Sequence, residues 1–368
     1  MDFPHASGEE ADPGDRRARY EPSELRNVLD SYPLGEVTGI QELEAGSRQA
    51  PKVRVSSTEG EFLLKRRVAR ADLVERVVFN HGLQLHLESE GVPVAKLVGT
   101  RRENRSMLLE DGRVYELFEW IEGRRLVRSA PEVRNAGRIL GRLHRSASKF
   151  RPERPSGVTG FHGARSLARA FDRLEPAIRS VAPSTDAGEL RNTIDDLRAM
   201  VSTARDEVEC RGWRDLPDQP IHGDWHPGNV LFTPAPPTVG RPGVVRAVVD
   251  FDSSRAEPRI VDLSNGLLHF AMRSARDRSP ADWPSSLSPD RMKAMVEGWI
   301  EIVGGPIGCE SEILPALMIE GLIAESVMPI AKSGTFARVP GAPFLLMVRE
   351  KARWIRRHEV EISGLTRP

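Results

Sequence analysis

The sequence predicts an α+β protein built in two lobes, a small antiparallel-sheet lobe followed by a larger, mainly helical one. Three observations lead there. The chain has 368 residues, more than one hydrophobic core ordinarily organises. Short, glycine-punctuated, strand-like runs crowd into residues 35–120 around a single helical pattern. Beyond Gly123 helical periodicity takes over, interrupted by one β-island. The expected divisions are a disordered leader over 1–20, a first lobe over 21–118 and a helical second lobe over 119–368.

The elements follow in order. Residues 1–20 are polar and cannot bury enough apolar surface to offset ordering entropy. Ser23 can cap a short helix ending near Tyr32-Pro33. Ile40–Leu43, Val53–Val55 and Phe62–Lys65 read as strands, with Gly46 and Gly60 at the turns. Asp72-x-x-Glu75 has the form of a capping box and opens a helix to about Glu90, stopped by Gly91 and Pro93. Val94–Val98, Ser106–Leu109 and Val114–Glu119 are further strand-like runs. Helices are then expected at Pro131–Ser148, Leu167–Ile178, Gly188–Val208, Pro289–Val303, Ile313–Ile330 and Phe344–Arg357. The β-island comprises Ile221, Val230–Phe232 and Val244–Phe251, with Thr233–Gly243 as an exposed, mobile connection.

Composition narrows the function classes. Lys+Arg and Asp+Glu both number 53, so no global basic field exists to hold nucleic acid or an anionic membrane. Arginines cluster at Arg101–Arg105 and Arg353–Arg357, and solvated faces explain them more simply than a binding patch. Two cysteines, Cys210 and Cys309, make neither a disulfide framework nor a metal pair. The N-terminus lacks the apolar core of a signal peptide. Glu320 and Glu325 break the longest apolar run, so no span of a bilayer is expected, and the reading is cytoplasmic.

The chemistry concentrates in Ile221-His222-Gly223-Asp224-Trp225-His226-Pro227-Gly228-Asn229-Val230-Leu231-Phe232. This is a polar, glycine-punctuated loop between two apolar strand ends. Asp224 and Asn229 stand five apart, the spacing of a carboxylate that orients an attacking hydroxyl and an amide that shares a metal. Pro227-Gly228 supplies the turn between them. Val248-Val249-Asp250 delivers a second carboxylate at the end of an apolar strand, placed to hold Mg²⁺ against phosphates. Lys65, sharing a strand face with Leu63, fits a lysine that pairs with the α- and β-phosphates. Gly46-Ser47-Arg48 is a candidate phosphate-covering turn.

These segments resemble the aminoglycoside phosphotransferase and choline kinase superfamily. The resemblance rests on His222–Leu231, Asp250-Phe251-Asp252 and Asp262-Leu263. Phe118–Gly123, Leu140–His144 and Gly91–Val94 add to it, and it covers about residues 35–350. It implies a protein-kinase-like bilobal fold with a nucleotide cleft. It also implies transfer of the γ-phosphoryl group of ATP, with Mg²⁺, to a hydroxyl. By resemblance Asp224 is the base or hydroxyl-orienting group, and Asn229 and Asp250 bind Mg²⁺. Lys65 contacts phosphates, the backbone of Glu119–Ile121 faces adenine, His222 holds the loop, and Asp262 is structural. Two features depart from the pattern. The family's helix glutamate, partner of the lysine, falls near Asn80 or His81, leaving Glu75 as the nearest upstream carboxylate, and the connection between Asn229 and Asp250 is long.

Other readings stand beside this one. His222, Asp224 and His226 also have the alternate spacing of metal-hydrolase ligands. His144 reads as a packed or surface histidine, Glu320 and Glu325 as exposed or helix-pairing residues rather than acceptor-pocket residues, and Trp225 and Trp354 as packing residues. A small-molecule hydroxyl is the expected acceptor. The alternatives are a protein Ser/Thr kinase of the stress-response type and a non-catalytic pseudokinase, the latter suggested by the missing helix glutamate.

Overall fold

The computed structural model describes residues 18–43, 50–234, 242–275 and 278–367. Two compact units divide the chain. One runs to Val74 and resumes over Ala95–Ile121; the other takes Glu75–Val94 and everything from Glu122. Most of the leader expected over 1–20, the Gly46-Ser47 turn and the middle of the Thr233–Gly243 connection lie outside the described residues.

The first unit opens with α1 (Pro22–Asp30) and continues through β1 (Val37–Leu43), β2 (Lys52–Ser57) and β3 (Gly60–Val68). After α2 (Ala71–Ser89) come β4 (Leu108–Glu110) and β5 (Arg113–Glu119). The strands form one sheet, ordered β1-β2-β3-β5-β4, antiparallel throughout. Period-2 alternation separates its faces. Val53, Val55, Phe62, Leu64, Tyr115 and Leu117 pack on Val28, Leu29, Tyr32 and Leu34 of α1 and the turn after it. Glu24 of α1 is held to this face by Arg66 at 2.8 Å and by the Tyr115 hydroxyl at 2.7 Å. The opposite face carries Lys65, Arg67 and Glu116. The expected cap at Ser23 is not used: Pro22 occupies the first turn, and Glu24 accepts the Glu21 N–H at 3.1 Å.

The second unit holds α3 (Ala130–Ala147), α4 (Ser166–Val181) and α5 (Ala187–Cys210). Strands β6 (Asp218–Ile221), β7 (Val230–Phe232), β8 (Val245–Val248) and β9 (Arg255–Pro258) follow. Then come α6 (Ile260–Ala271), α7 (Pro289–Val303), α8 (Glu310–Ser333), a short β10–β11 ribbon (Thr335–Phe336, Val339–Pro340), α9 (Gly341–Arg357) and α10 (Glu359–Gly364). Gly137 lets α3 cross α7 closely, since a side chain there would run into the Met295 backbone. Helix α8 has the length and hydropathy of a bilayer-crossing helix despite Glu320 and Glu325, but 83% of its apolar window is buried inside the protein, as in a core helix.

Several expectations change. Asp72 and Glu75 do not cap α2, which begins at Ala71; Glu75 instead pairs with Arg154 at 2.9 Å. Phe79, Leu83 and Leu87 of α2 belong to the helical core, so the helix from Glu75 on falls with the larger unit rather than with the sheet. Val94–Val98 forms isolated bridges, not a strand. The β-island is two ladders, β6–β9 and β7–β8, rather than one hairpin. Helix α6 was not anticipated: nearly every side chain in it is buried, so no polar face marks its period.

Candidate active site

The loop from His222 to Asn229 starts where the β6–β9 ladder ends, at Ile221 opposite Arg255. It finishes where the β7–β8 ladder begins, at Val230 opposite Val248. Both flanking residues are fully buried. The loop is thus strung between two fixed points, and its backbone N–H groups need partners of their own.

Asp262, in the first turn of α6, supplies them. Its carboxylate accepts the His222 N–H and the Gly223 N–H, each at 2.8 Å. His144 Nε2 lies 3.1 Å from the same carboxylate, and the Trp299 indole N–H donates to His144 Nδ1 at 3.0 Å. That donor fixes the tautomer: the His144 proton sits on Nε2 and points at Asp262. Burial alone would raise the Asp262 pKa; the hydrogen bond from His144, the electrostatic influence of the His144 and His222 imidazoles and the His222 amide more than offset this and lower it. Gly223 takes a left-handed φ of 78° against the Ser253 carbonyl, a conformation few other residues accept.

His222 binds the loop to β8. Its Nε2 donates to the Val249 carbonyl at 3.1 Å, so Nδ1 is the acceptor for the Asp224 N–H at 3.3 Å. Its ring packs between Trp225 and Phe251. Asn229 donates from Nδ2 to the Asp224 carbonyl at 3.0 Å and to Asp224 Oδ2 at 3.1 Å. The Val249 N–H bonds the Asn229 carbonyl at 3.0 Å, so Asp250 follows directly on a residue tied to Asn229. Asp250 adopts φ 64°, a left-handed conformation unusual outside glycine, before the 3₁₀ turn Phe251–Ser253. Strain of this kind persists where the surroundings enforce it and commonly marks functional positions.

The charge at Asp224 is well supported. Burial works to raise its pKa, but the His226 hydrogen bond and the electrostatic influence of the His226, His222 and His269 imidazoles lower it to about 2. His226 Nδ1 accepts the Gly228 N–H at 2.9 Å, which leaves Nε2 to carry the proton facing Asp224 Oδ2 at 3.4 Å. His269 of α6 and Glu325 of α8 pair at 2.9 Å, and the His269 and His226 rings are 5.9 Å apart. Sequence reasoning missed His269, because it lies in the helix that went unrecognised; Glu325 interrupting an apolar run was the one available signal. Glu320, by contrast, is fully buried and bonded to His162 and Arg205.

The loop does not resemble a metal-hydrolase ligand set. His222 Nε2 and His226 Nδ1 are both engaged with backbone, and among the described residues no group of three or more His, Cys, Asp and Glu could hold a metal ion. Asn229, Asp224 and the Asp250 segment offer oxygen donors instead. Because Asn229 Nδ2 is committed to Asp224, the oxygen of its amide is the end left for a cation, a donor type suited to Mg²⁺.

The remaining candidates belong to the sheet unit. Lys65 lies on β3, 5% exposed. The Glu119 N–H bonds the Lys96 carbonyl and the Trp120 N–H bonds the Glu61 carbonyl. Of the segment expected to face adenine, the Glu119 and Trp120 N–H groups are thus already bonded to backbone.

A model of the phosphotransferase enzyme family matches residues 39–285. Among curated proteins, homoserine kinase of Chelativorans sp. (strain BNC1) is 29% identical over 215 residues, 57% of this chain and 59% of that protein. Stress response kinase A of Salmonella choleraesuis is 29% identical over 196 residues, 52% of this chain and 51% of that protein. The matches thus span little more than half the length of these relatives. Among solved structures, an aminoglycoside phosphotransferase from Alicyclobacillus acidocaldarius superposes with a TM-score of 0.63 at 16% identity, covering 96% of this chain and 98% of that one. A microcompartment-associated aminopropanol kinase superposes with a TM-score of 0.64 at 15% identity, covering 93% and 99%. With a helical unit that builds an Asp224–Asn229 loop on a buried Asp262, and a family model matched over most of its length, the chain belongs to the phosphotransferase enzyme family.

Proposed function

We propose that the protein is an ATP- and Mg²⁺-dependent kinase that phosphorylates a hydroxyl of a small molecule. The carrying observation is the joint fixation of Asp224 and Asn229, whose side chains bond at 3.1 Å in a loop clamped at both ends. Asp224 accepts the proton of the acceptor hydroxyl as its oxygen bonds to the γ-phosphorus. The bond to the β–γ bridging oxygen breaks, and ADP leaves. A carboxylate ionised far below neutral pH orients that hydroxyl well but is a weak base, so positioning contributes more than proton abstraction. Asn229 and Asp250 would hold Mg²⁺, which supplies charge neutralisation across the phosphates when bound. Lys65 pairs with the phosphates, and His222 and Asp262 keep the loop in shape. Cytoplasmic ATP is the natural donor for such a site.

The relatives favour a compact hydroxylated metabolite as acceptor; a protein serine is the second reading, favoured by the stress-response kinase match. Against a pseudokinase stand the intact Asp224, Asn229 and Asp250. The test is ATP consumption across a panel of amino alcohols, aminoglycosides and a Ser/Thr peptide mixture, with wild type and Asp224→Ala. Removing Asp224 should cut acceptor-dependent transfer roughly 10²–10⁴-fold while changing MgATP affinity less than about threefold. Equal turnover in the variant overturns the assignment.

A further inference from the structure

We propose that Glu116, on strand β5, is the positioning residue for Lys65, doing from the sheet what a helix carboxylate would otherwise do. The inference rests on the reading of Lys65 as the phosphate-contacting lysine. Its starting point is register. Lys65 of β3 stands directly opposite Glu116 of β5, and directly opposite Lys52 of β2 on its other side. Residues paired across antiparallel strands project to the same face, with Cβ atoms about 5 Å apart. Lys52, Lys65 and Glu116 therefore form one row of charge across three strands. A like charge on one side and an opposite charge on the other both bias the Lys65 ammonium toward β5.

The carboxylate is itself immobilised. Arg67, two residues along the same face, grips it bidentately, Nε to Oε2 at 2.6 Å and Nη2 to Oε1 at 3.0 Å. Each carboxylate oxygen has a second lone pair, so this grip leaves acceptor capacity for an ammonium. Glu116 is 1% exposed, and Lys65 and Arg67 are also buried. A buried, oriented anion acts at a strength that solvent does not screen away. Three cations (Lys52, Lys65 and Arg67) and one carboxylate leave this part of the face positive, which suits a polyphosphate.

In helix α2, Asn80 and His81 occupy the positions where the resemblance would place a carboxylate, and Glu75 pairs with Arg154 at 2.9 Å. The bidentate pair with Arg67 makes the burial of Glu116 tolerable and fixes where its charge lies.

The test uses the full chain with Glu116→Gln, Glu116→Asp and Lys65→Met, each checked for folding by circular dichroism. Binding of MgATP and of adenosine is measured by calorimetry. With Glu116→Gln, MgATP affinity should fall about tenfold while adenosine affinity stays within about twofold, and Glu116→Asp should lie between this variant and wild type. A purely structural role would weaken both ligands together. If Glu116→Gln fails to fold, Glu116→Asp carries the test, with an expected loss of about threefold for MgATP alone. MgATP affinity unchanged in a folded Glu116 variant, or lost in parallel with adenosine, overturns the proposal. Unchanged MgATP affinity in Lys65→Met instead overturns the underlying reading of Lys65.

Discussion

His144 and Asp262, 118 residues apart in sequence, meet at 3.1 Å in the fully buried centre of the helical unit. Through that contact the tryptophan of one helix and the histidine of another act on the shape of a loop distant from both in sequence. Trp299 orients His144, His144 orients Asp262, and Asp262 holds the two amides that begin the candidate catalytic loop.

Removing the carboxylate should therefore harm both stability and activity. Asp262→Ala strands two buried amides and a buried imidazole, and is expected to cost about 3–5 kcal/mol. Urea unfolding reads this directly. A loss below about 1 kcal/mol would mean that the loop finds other partners.

The His269–Glu325 pair predicts a specific pH response. Burial opposes charge on His269, but the Glu325 carboxylate and its hydrogen bond, with Asp224 beyond, raise the pKa above its usual 6.5. A group raised on folding stabilises fully below its unfolded pKa, and that contribution fades as pH rises through the folded value. Glu325→Gln should thus lower the His269 pKa, visible by NMR titration. The stability gap between wild type and variant should be largest below pH 6.5 and close on the alkaline side. A gap that widens with pH would contradict the pairing.

The α3–α7 crossing predicts a steric asymmetry between glycines. Gly137→Val places a side chain against the Met295 backbone and should destabilise by about 3 kcal/mol or more. Gly364→Ala, in α10, meets nothing within 4 Å and should be neutral or stabilising by about 0.4–1 kcal/mol. Thermal melts of the two variants compare them; equal effects would show that α3 and α7 can separate without cost.

Much of this was legible in the chain. Local patterns are short-range physics. Alternation in Val53–Val55 and Phe62–Leu64, the stripe of Ala136, Leu140 and Leu143, and the turn at Pro227-Gly228 need no distant partner to be read. The order Asp224, Asn229, Asp250 suggested the proposed chemistry for the same reason, since one loop and one strand end present all three. What the sequence alone could not yield was whatever depends on a neighbour. Helix α6 has no periodicity because it is covered on every side, so Asp262 came only with the resemblance and His269 was not seen at all. Asp72 looked like a cap, yet the helix starts before it. Glu320 read as exposed or helix-pairing; it is buried, and His162 and Arg205 make that burial tolerable.

The sequence by itself determined the class of fold and the kind of chemistry, because periodicity and motif spacing are properties of contiguous residues. Only the tertiary structure decided which groups hold those motifs in place. Asp262 under the loop and Glu116 beside Lys65 are set by helix packing and strand register, and a buried charge is stable only where another part of the chain arrives to meet it.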